Sequence, residues 1–171
     1  MKKSLLIIGA GGHGKVVREA ALSMRLKDEA IYDKIDFLDD SATEAIGKIG
    51  DLEVAGKQYD EVFVAIGDNE LRKELMKSID KMGYAVPTII HHAAYVSSTT
   101  MVERGTIIEA NVAINENCIV KQGCIISIGT VVDHNSTVEE FSHVNTGTIC
   151  CAGSVVPSGT KTAAGEIVKG Y

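Results

Sequence analysis

Aliphatic residues return every sixth position along the second half of the chain, at Ile90, Val96, Val102, Ile108, Ile114, Val120, Ile126, Val132, Val138, Val144, Val156 and Val168, interrupted by Cys150 and Thr162. Four places after each anchor stands a small or β-branched residue, as at Ala94, Thr106, Cys118, Thr130, Ser142 and Ser154. Each hexad therefore carries two inward positions. Glycine recurs three places after the anchor, at Gly105, Gly123, Gly129, Gly147, Gly153, Gly159 and Gly165, where a chain turning after a short strand needs a residue free of Cβ. A register held from Ile90 to Val168 predicts a parallel β-helix, in which each hexad is one short face and stacked coils bury a continuous column of side chains. A β-sandwich needs strands of unequal length joined by hairpins and would lose the register.

The pattern ahead of Ile90 is different. Ser4-Leu5-Leu6-Ile7-Ile8 is the continuous apolar run of a strand buried on both faces. It passes through Gly9-Ala10-Gly11-Gly12-His13-Gly14-Lys15 into a helical pattern over residues 16–24. Residues 30–32 and 34–38 form a second extended run ending in Asp39-Asp40. Residues 61–66 form a third, leading through Gly67-Asp68-Asn69 into an amphipathic helix over residues 70–82, with Asp68 or Asn69 as its N-cap. Alternating strands and helices predict a small Rossmann-like parallel sheet with its ligand at the carboxyl ends of the strands. The chain thus reads as an α/β domain over residues 1–86 followed by a β-helix over residues 87–171.

Gly9, Gly11 and Gly14 fit the dinucleotide fingerprint. Its physical content is a set of backbone N–H groups at a helix N-terminus that approach a phosphate, which serves any nucleoside diphosphate. The segment before the β-helix is short for a complete dinucleotide domain, so a nucleotide sugar is favoured over a nicotinamide cofactor.

Composition narrows the partners. A net charge of −6 argues against nucleic acid and anionic membrane. No apolar run approaches a membrane span, and the apolar run between Met1-Lys2-Lys3 and Gly9 is too short for a signal peptide, so a cytoplasmic location is expected. Of the four cysteines, Cys118, Cys124 and Cys150 fall on inward positions as small apolar fillers, and their spacing matches no zinc pattern.

The hexad series resembles the hexapeptide-repeat acyltransferases. That resemblance implies a left-handed β-helix with three hexads to a coil and between four and five coils here. Gly9-Ala10-Gly11-Gly12-His13-Gly14, Phe37-Leu38-Asp39-Asp40 and Val64-Ala65-Ile66-Gly67-Asp68-Asn69 with Arg72 narrow it to the branch of sialic-acid O-acetyltransferases and UDP-4-amino-sugar N-acetyltransferases, over residues 5–153. The branch implies an acetyl-CoA-dependent, metal-free homotrimer acting on a sugar or sugar nucleotide for a surface glycan. It places Gly11, Gly12, His13, Asp39, Asp40 and Gly67 at the acceptor. From the residues alone, Asp39-Asp40 reads first as a solvated turn.

Acetyl transfer needs a base that takes a proton as the acceptor attacks the thioester carbonyl, and His titrates near the working pH. His134 lies on a turn two places after an anchor, with Asp133 beside it to orient the imidazole. The resemblance assigns His134 as base with Asp133, and His143 with Ser127 to the acetyl donor. It departs at Ser127, where relatives carry Asn; Ser keeps a donor and an acceptor but reaches less far. His91-His92, adjacent in the first hexad, is expected to be structural. Beyond Val156 the repeat weakens, with Thr162 at an anchor and Glu166 at an inward position, so a frayed last coil and weak donor affinity are expected. An alternative remains a sugar-nucleotide-binding protein on the same scaffold without catalysis.

Overall fold

The computed structural model describes residues 2–26 and 28–171, which fall into two compact units, Met1–Pro87 and Thr88–Tyr171. In the first, β1 (Lys3–Ile8) leads to α1 (Gly12–Ser23), a small antiparallel pair β2 (Arg25–Leu26) and β3 (Glu29–Ala30), β4 (Tyr32–Leu38), a short helical stretch containing α2 (Leu52–Ala55), β5 (Glu61–Val64) and α3 (Asn69–Met82). The sheet is parallel with order β4-β1-β5, so the apolar run is the central strand, and Leu5 to Ile8 are fully buried.

Helix α1 starts at Gly12, earlier than the hydrophobic pattern indicates. Glycine disfavours a helix interior, yet a Cβ on Gly14 would stand 2.1 Å from the Gly9 carbonyl oxygen, so only glycine lets helix and strand approach this closely. Asp68 is the N-cap of α3, its side chain accepting from Leu71 N–H, and left-handed Gly83 closes the C-terminus. The β2–β3 pair and the helical residues 49–58 had no periodic signal, because each is too short to show one.

The second unit consists, among the described residues, of thirteen two-residue strands in three parallel sheets of five, four and four strands. Each strand pairs with the one eighteen residues later, as Ala113 with Val131 and Ile114 with Val132. Three hexads therefore make one coil of a left-handed β-helix. The anchors Ile108, Ile114, Val120, Ile126, Val132, Val138, Val144 and Val156 form its core, with Cys118, Cys124 and Cys150 packed among them. Burial pushes the Cys150 thiol up to about 11, which keeps it a neutral filler.

The second inward series is hydroxylic for a reason the periodicity does not show. Thr106 donates to the Lys121 carbonyl, Ser136 to Cys151 and Ser142 to Pro157, so each buried hydroxyl satisfies a main-chain oxygen of the next turn. The left-handed turn position, glycine in most hexads, is taken by Asn111, Asn117, Asn135 and Phe141 with φ between 54° and 59°. Asparagine tolerates this region; an aromatic there is rare.

The two interruptions of the series differ. Cys150 keeps its strand, whereas the Thr162 hexad makes only an isolated bridge between Lys161 and His143. Thr162 is nevertheless buried, its hydroxyl 2.9 Å from that of Thr148 and accepting from Asn145 N–H. A polar anchor is thus accommodated by hydrogen bonding, and the ladder runs on through Ile149 N–H to Glu166 and Cys151 N–H to Val168. Glu166, in the inward series, is exposed on the last coil and accepts from Ala163 N–H.

Candidate active site

The carboxyl ends of β1, β4 and β5 lie side by side at one edge of the parallel sheet. Gly11 is the N-cap of α1, and a Cβ on Gly11, Gly12 or Gly67 would meet nothing within 4 Å. Gly11 and Gly12 leave open space at the N-terminus of α1, whose first turn has no acidic residue, an arrangement that accepts an anion, and Gly67 leaves open space ahead of α3. His13, half-buried, stands in that first turn.

The two aspartates at the end of β4 differ in role. Asp39 accepts from the backbone N–H groups of Ala10, Ser41 and Ala42, which hold its pKa down at about 2. It fastens the Gly-rich turn to the β4 loop, so both its oxygens are engaged within the protein. Asp40 is more exposed and accepts from Ile49 N–H through one oxygen. Arg72, buried on α3, donates to the Ile66 carbonyl at 2.9 Å and to Asn69 at 2.7 Å, fixing the turn that carries Gly67.

In the β-helix, His134 and Asp133 follow the buried anchor Val132 and are half-buried on one turn. The Asp133 carboxylate does not meet the imidazole through a hydrogen bond. Its Oδ1 accepts from His134 backbone N–H at 2.8 Å and from Asn115 Nδ2 at 3.1 Å, and those bonds hold its pKa below the usual carboxylate value. A side chain one residue before the histidine on a tight turn reaches the following main chain more readily than the ring. The imidazole Nδ1 instead lies 3.1 Å from Asn135 Nδ2, which also donates to the Tyr171 hydroxyl. A depression of about 220 Å³ beside Asp133 is lined by Tyr95, Ala113, Asn115, Val131 and Val132.

Ser127 and His143 lie together, Ser127 Oγ 3.1 Å from His143 Nε2. Ser127 is buried, with Glu109 eighteen residues earlier also buried and its carboxyl raised by desolvation. His91 is buried, its Nδ1 accepts from Ala93 N–H, and its ring stacks 4.6 Å from His92, a structural use. Among the described residues, no group of three or more His, Cys, Asp or Glu side chains is arranged to hold a metal ion. Sequence reasoning missed Asn115 and Glu109, because residues eighteen apart meet only once the coil is wound, and Asn135, because its bond to Tyr171 forms only when the end of the chain returns over the coil.

Residues 4–79 match the family of the PglD N-terminal domain. The whole fold is shared with the acetyltransferase domain of PglB from Neisseria gonorrhoeae FA1090, in complex with acetyl coenzyme A, at 27% identity and a TM-score of 0.89 over 98% of this chain and 82% of that one. The chain has the fold of a hexapeptide-repeat, left-handed β-helix acetyltransferase. It also resembles a perosamine N-acetyltransferase from Caulobacter crescentus in which a histidine is replaced by asparagine, in complex with CoA and GDP-perosamine, at 26% identity and a TM-score of 0.85 over 98% of this chain and 89% of that one.

Proposed function

We propose that the protein transfers the acetyl group of acetyl-CoA to the amino group of a nucleoside-diphosphate amino sugar destined for a surface glycan. The observation that carries this reading is the likeness, along nearly the whole chain, to one acetyltransferase with acetyl-CoA and one with CoA and GDP-perosamine. The open glycines at the N-terminus of α1 support it, since they suit a diphosphate. In this reading residues 1–86 hold the acceptor, with Gly11, Gly12, His13 and Gly67 near the diphosphate, Asp40 offering its free oxygen, and Asp39 shaping the turn.

His134 acts as the general base. Its Nε2 takes a proton from the acceptor amine as the nitrogen attacks the thioester carbonyl, and the tetrahedral intermediate collapses to the amide with cleavage of the C–S bond, the imidazolium returning its proton to the CoA sulfur. Asp133 acts through the main chain and through its charge, which favours the imidazolium formed in that step. His143 and Ser127 present a paired donor and acceptor to the acetyl donor, and no metal takes part. The protein works in the cytoplasm as a homotrimer; no helix among the described residues is long and apolar enough to cross a membrane.

The test is turnover with acetyl-CoA against a panel of GDP- and UDP-linked 4-amino sugars and free sialic acids, read by thiol release. Release with an amino-sugar nucleotide is expected. Turnover confined to free sialic acids, or absent with every amine, would replace this reading with hydroxyl acetylation or another acceptor.

A further inference from the structure

We propose that Asn135, braced by Tyr171, is a positioning residue that selects the tautomer of His134, an inference that rests on the reading of His134 as the base. Asn135 sits on the same turn with φ 59°, a conformation asparagine accepts. Its Nδ2 is placed 3.1 Å from His134 Nδ1 and 3.1 Å from the Tyr171 hydroxyl, and a half-turn of the amide puts Oδ1 at both contacts instead. Tyr171 arrives there because the chain after the strand Ile167–Val168 returns over the preceding coil. Tyr171 N–H donates to the Ala152 carbonyl, and its ring fills the space where a Cβ on Gly153 would lie.

The oxygen and nitrogen of an amide exchange places by a half-turn about one bond. The two orientations give opposite chemistry. With the NH2 group toward the ring, Nδ1 must accept, the ring proton sits on Nε2, and that nitrogen has no lone pair for an acceptor proton. With the oxygen toward the ring, Oδ1 accepts from Nδ1–H and from the Tyr171 O–H through its two lone pairs, and Nε2 is bare. Only the second state is a base. Tyr171 stabilises it by donating to the same oxygen, and Asp133 Oδ1 does not compete for Nδ1 because His134 N–H and Asn115 already engage it.

An uncharged amide fixes the tautomer of His134 without placing a charge beside the ring. The titratable groups on the neighbouring turns are Asp133 beside it, Glu116 on the coil before, and Cys151, Lys169 and Tyr171 on the chain after. They are common to all the variants below except Tyr171→Phe.

The experiment measures imidazole 15N shifts of the full chain, with the His134 signals assigned by their loss in His134→Gln. It is paired with kcat and KM against pH for the acceptor of highest turnover in the panel. In the wild type, Nδ1 is expected to be protonated and Nε2 bare. Asn135→Gly, which tolerates the positive φ, should mix the tautomers and lower kcat about tenfold, the reach of one hydrogen bond, with KM unchanged. Asn135→Asp should restore kcat and move the acidic limb of the pH profile upward, and Tyr171→Phe should lower kcat by less than Asn135→Gly. A wild-type Nε2–H tautomer, or full kcat in Asn135→Gly, overturns the proposal. Turnover surviving in His134→Gln overturns the base itself, a result separate from the wrong tautomer.

Discussion

His134 is one of five histidines, and its neighbours on the turn distinguish it from the others. His91 accepts from a backbone N–H and lies against the His92 ring, and His143 pairs with Ser127, whereas the imidazole of His134 meets Asn135, which is itself bonded to Tyr171. Replacing it with Ala is expected to cut turnover by about a hundredfold or more, the usual share of a positioned base, with circular dichroism unchanged. Near-wild-type turnover in that variant would dismiss it as the base. Asp39 carries a separate expectation about pH. Backbone N–H groups bind its charged form, so its folded pKa of about 2 lies below the ordinary 3.8. A depressed pKa contributes stability that is complete above about pH 4 and is lost as pH falls toward 2. Asp39→Asn should therefore lower stability in urea titrations at pH 7, and the gap from wild type should narrow at pH 3. An equal gap at both pH values would show that the charge of Asp39 has no part in it.

At the scale of the element, two glycines of one turn have opposite constraints. Gly14→Ala forces a methyl against the Gly9 carbonyl and should destabilise the first unit by about 1–3 kcal/mol, as overpacking does. Gly12→Val adds a side chain to open space, so the fold should hold while sugar-nucleotide affinity falls and acetyl-CoA affinity stays. Calorimetry with both ligands separates the cases; equal weakening of both would place the diphosphate elsewhere. In the β-helix each anchor touches the coils on either side, so Ile126→Ala should cost about 2–5 kcal/mol by leaving a cavity in a continuous column. Loss of only the local coil, seen as hydrogen exchange confined to its neighbours, would mean that the stack is less cooperative than its packing implies.

At the scale of the whole molecule, the outward positions of the five-stranded sheet form an apolar stripe. Tyr95, Val131, Ile149 and Ile167 are each more than a third exposed and stand in one column, with Ala113 between Tyr95 and Val131. A flat stripe of this kind suits closed packing about a threefold axis, in which every copy uses the same surfaces. Val131→Glu with Ile149→Glu should convert the trimer proposed above into monomers by sedimentation velocity, with the monomer still folded. A wild type that sediments as a monomer would remove the trimer itself.

The hexad spacing alone determined the β-helix, its two inward columns and its glycine turns, because in a solenoid the contacts are between residues at a fixed separation and the sequence repeats with the structure. The apolar run at residues 4–8 and the alternation after it likewise determined the small parallel sheet. The roles within the site followed a different logic. Periodicity could place Asp133 beside His134, but only the wound coil put Asn115 on its carboxylate, and only the returning chain brought Tyr171 to Asn135. Asp39 read as a solvated turn or a ligand group, and the fold made it a brace, because the amides that bind it come from both β1 and β4 loops. Hydrogen bonds between turns depend on which side chains share a coil height. That is a property of the winding, and a list of residues does not contain it until the winding is known.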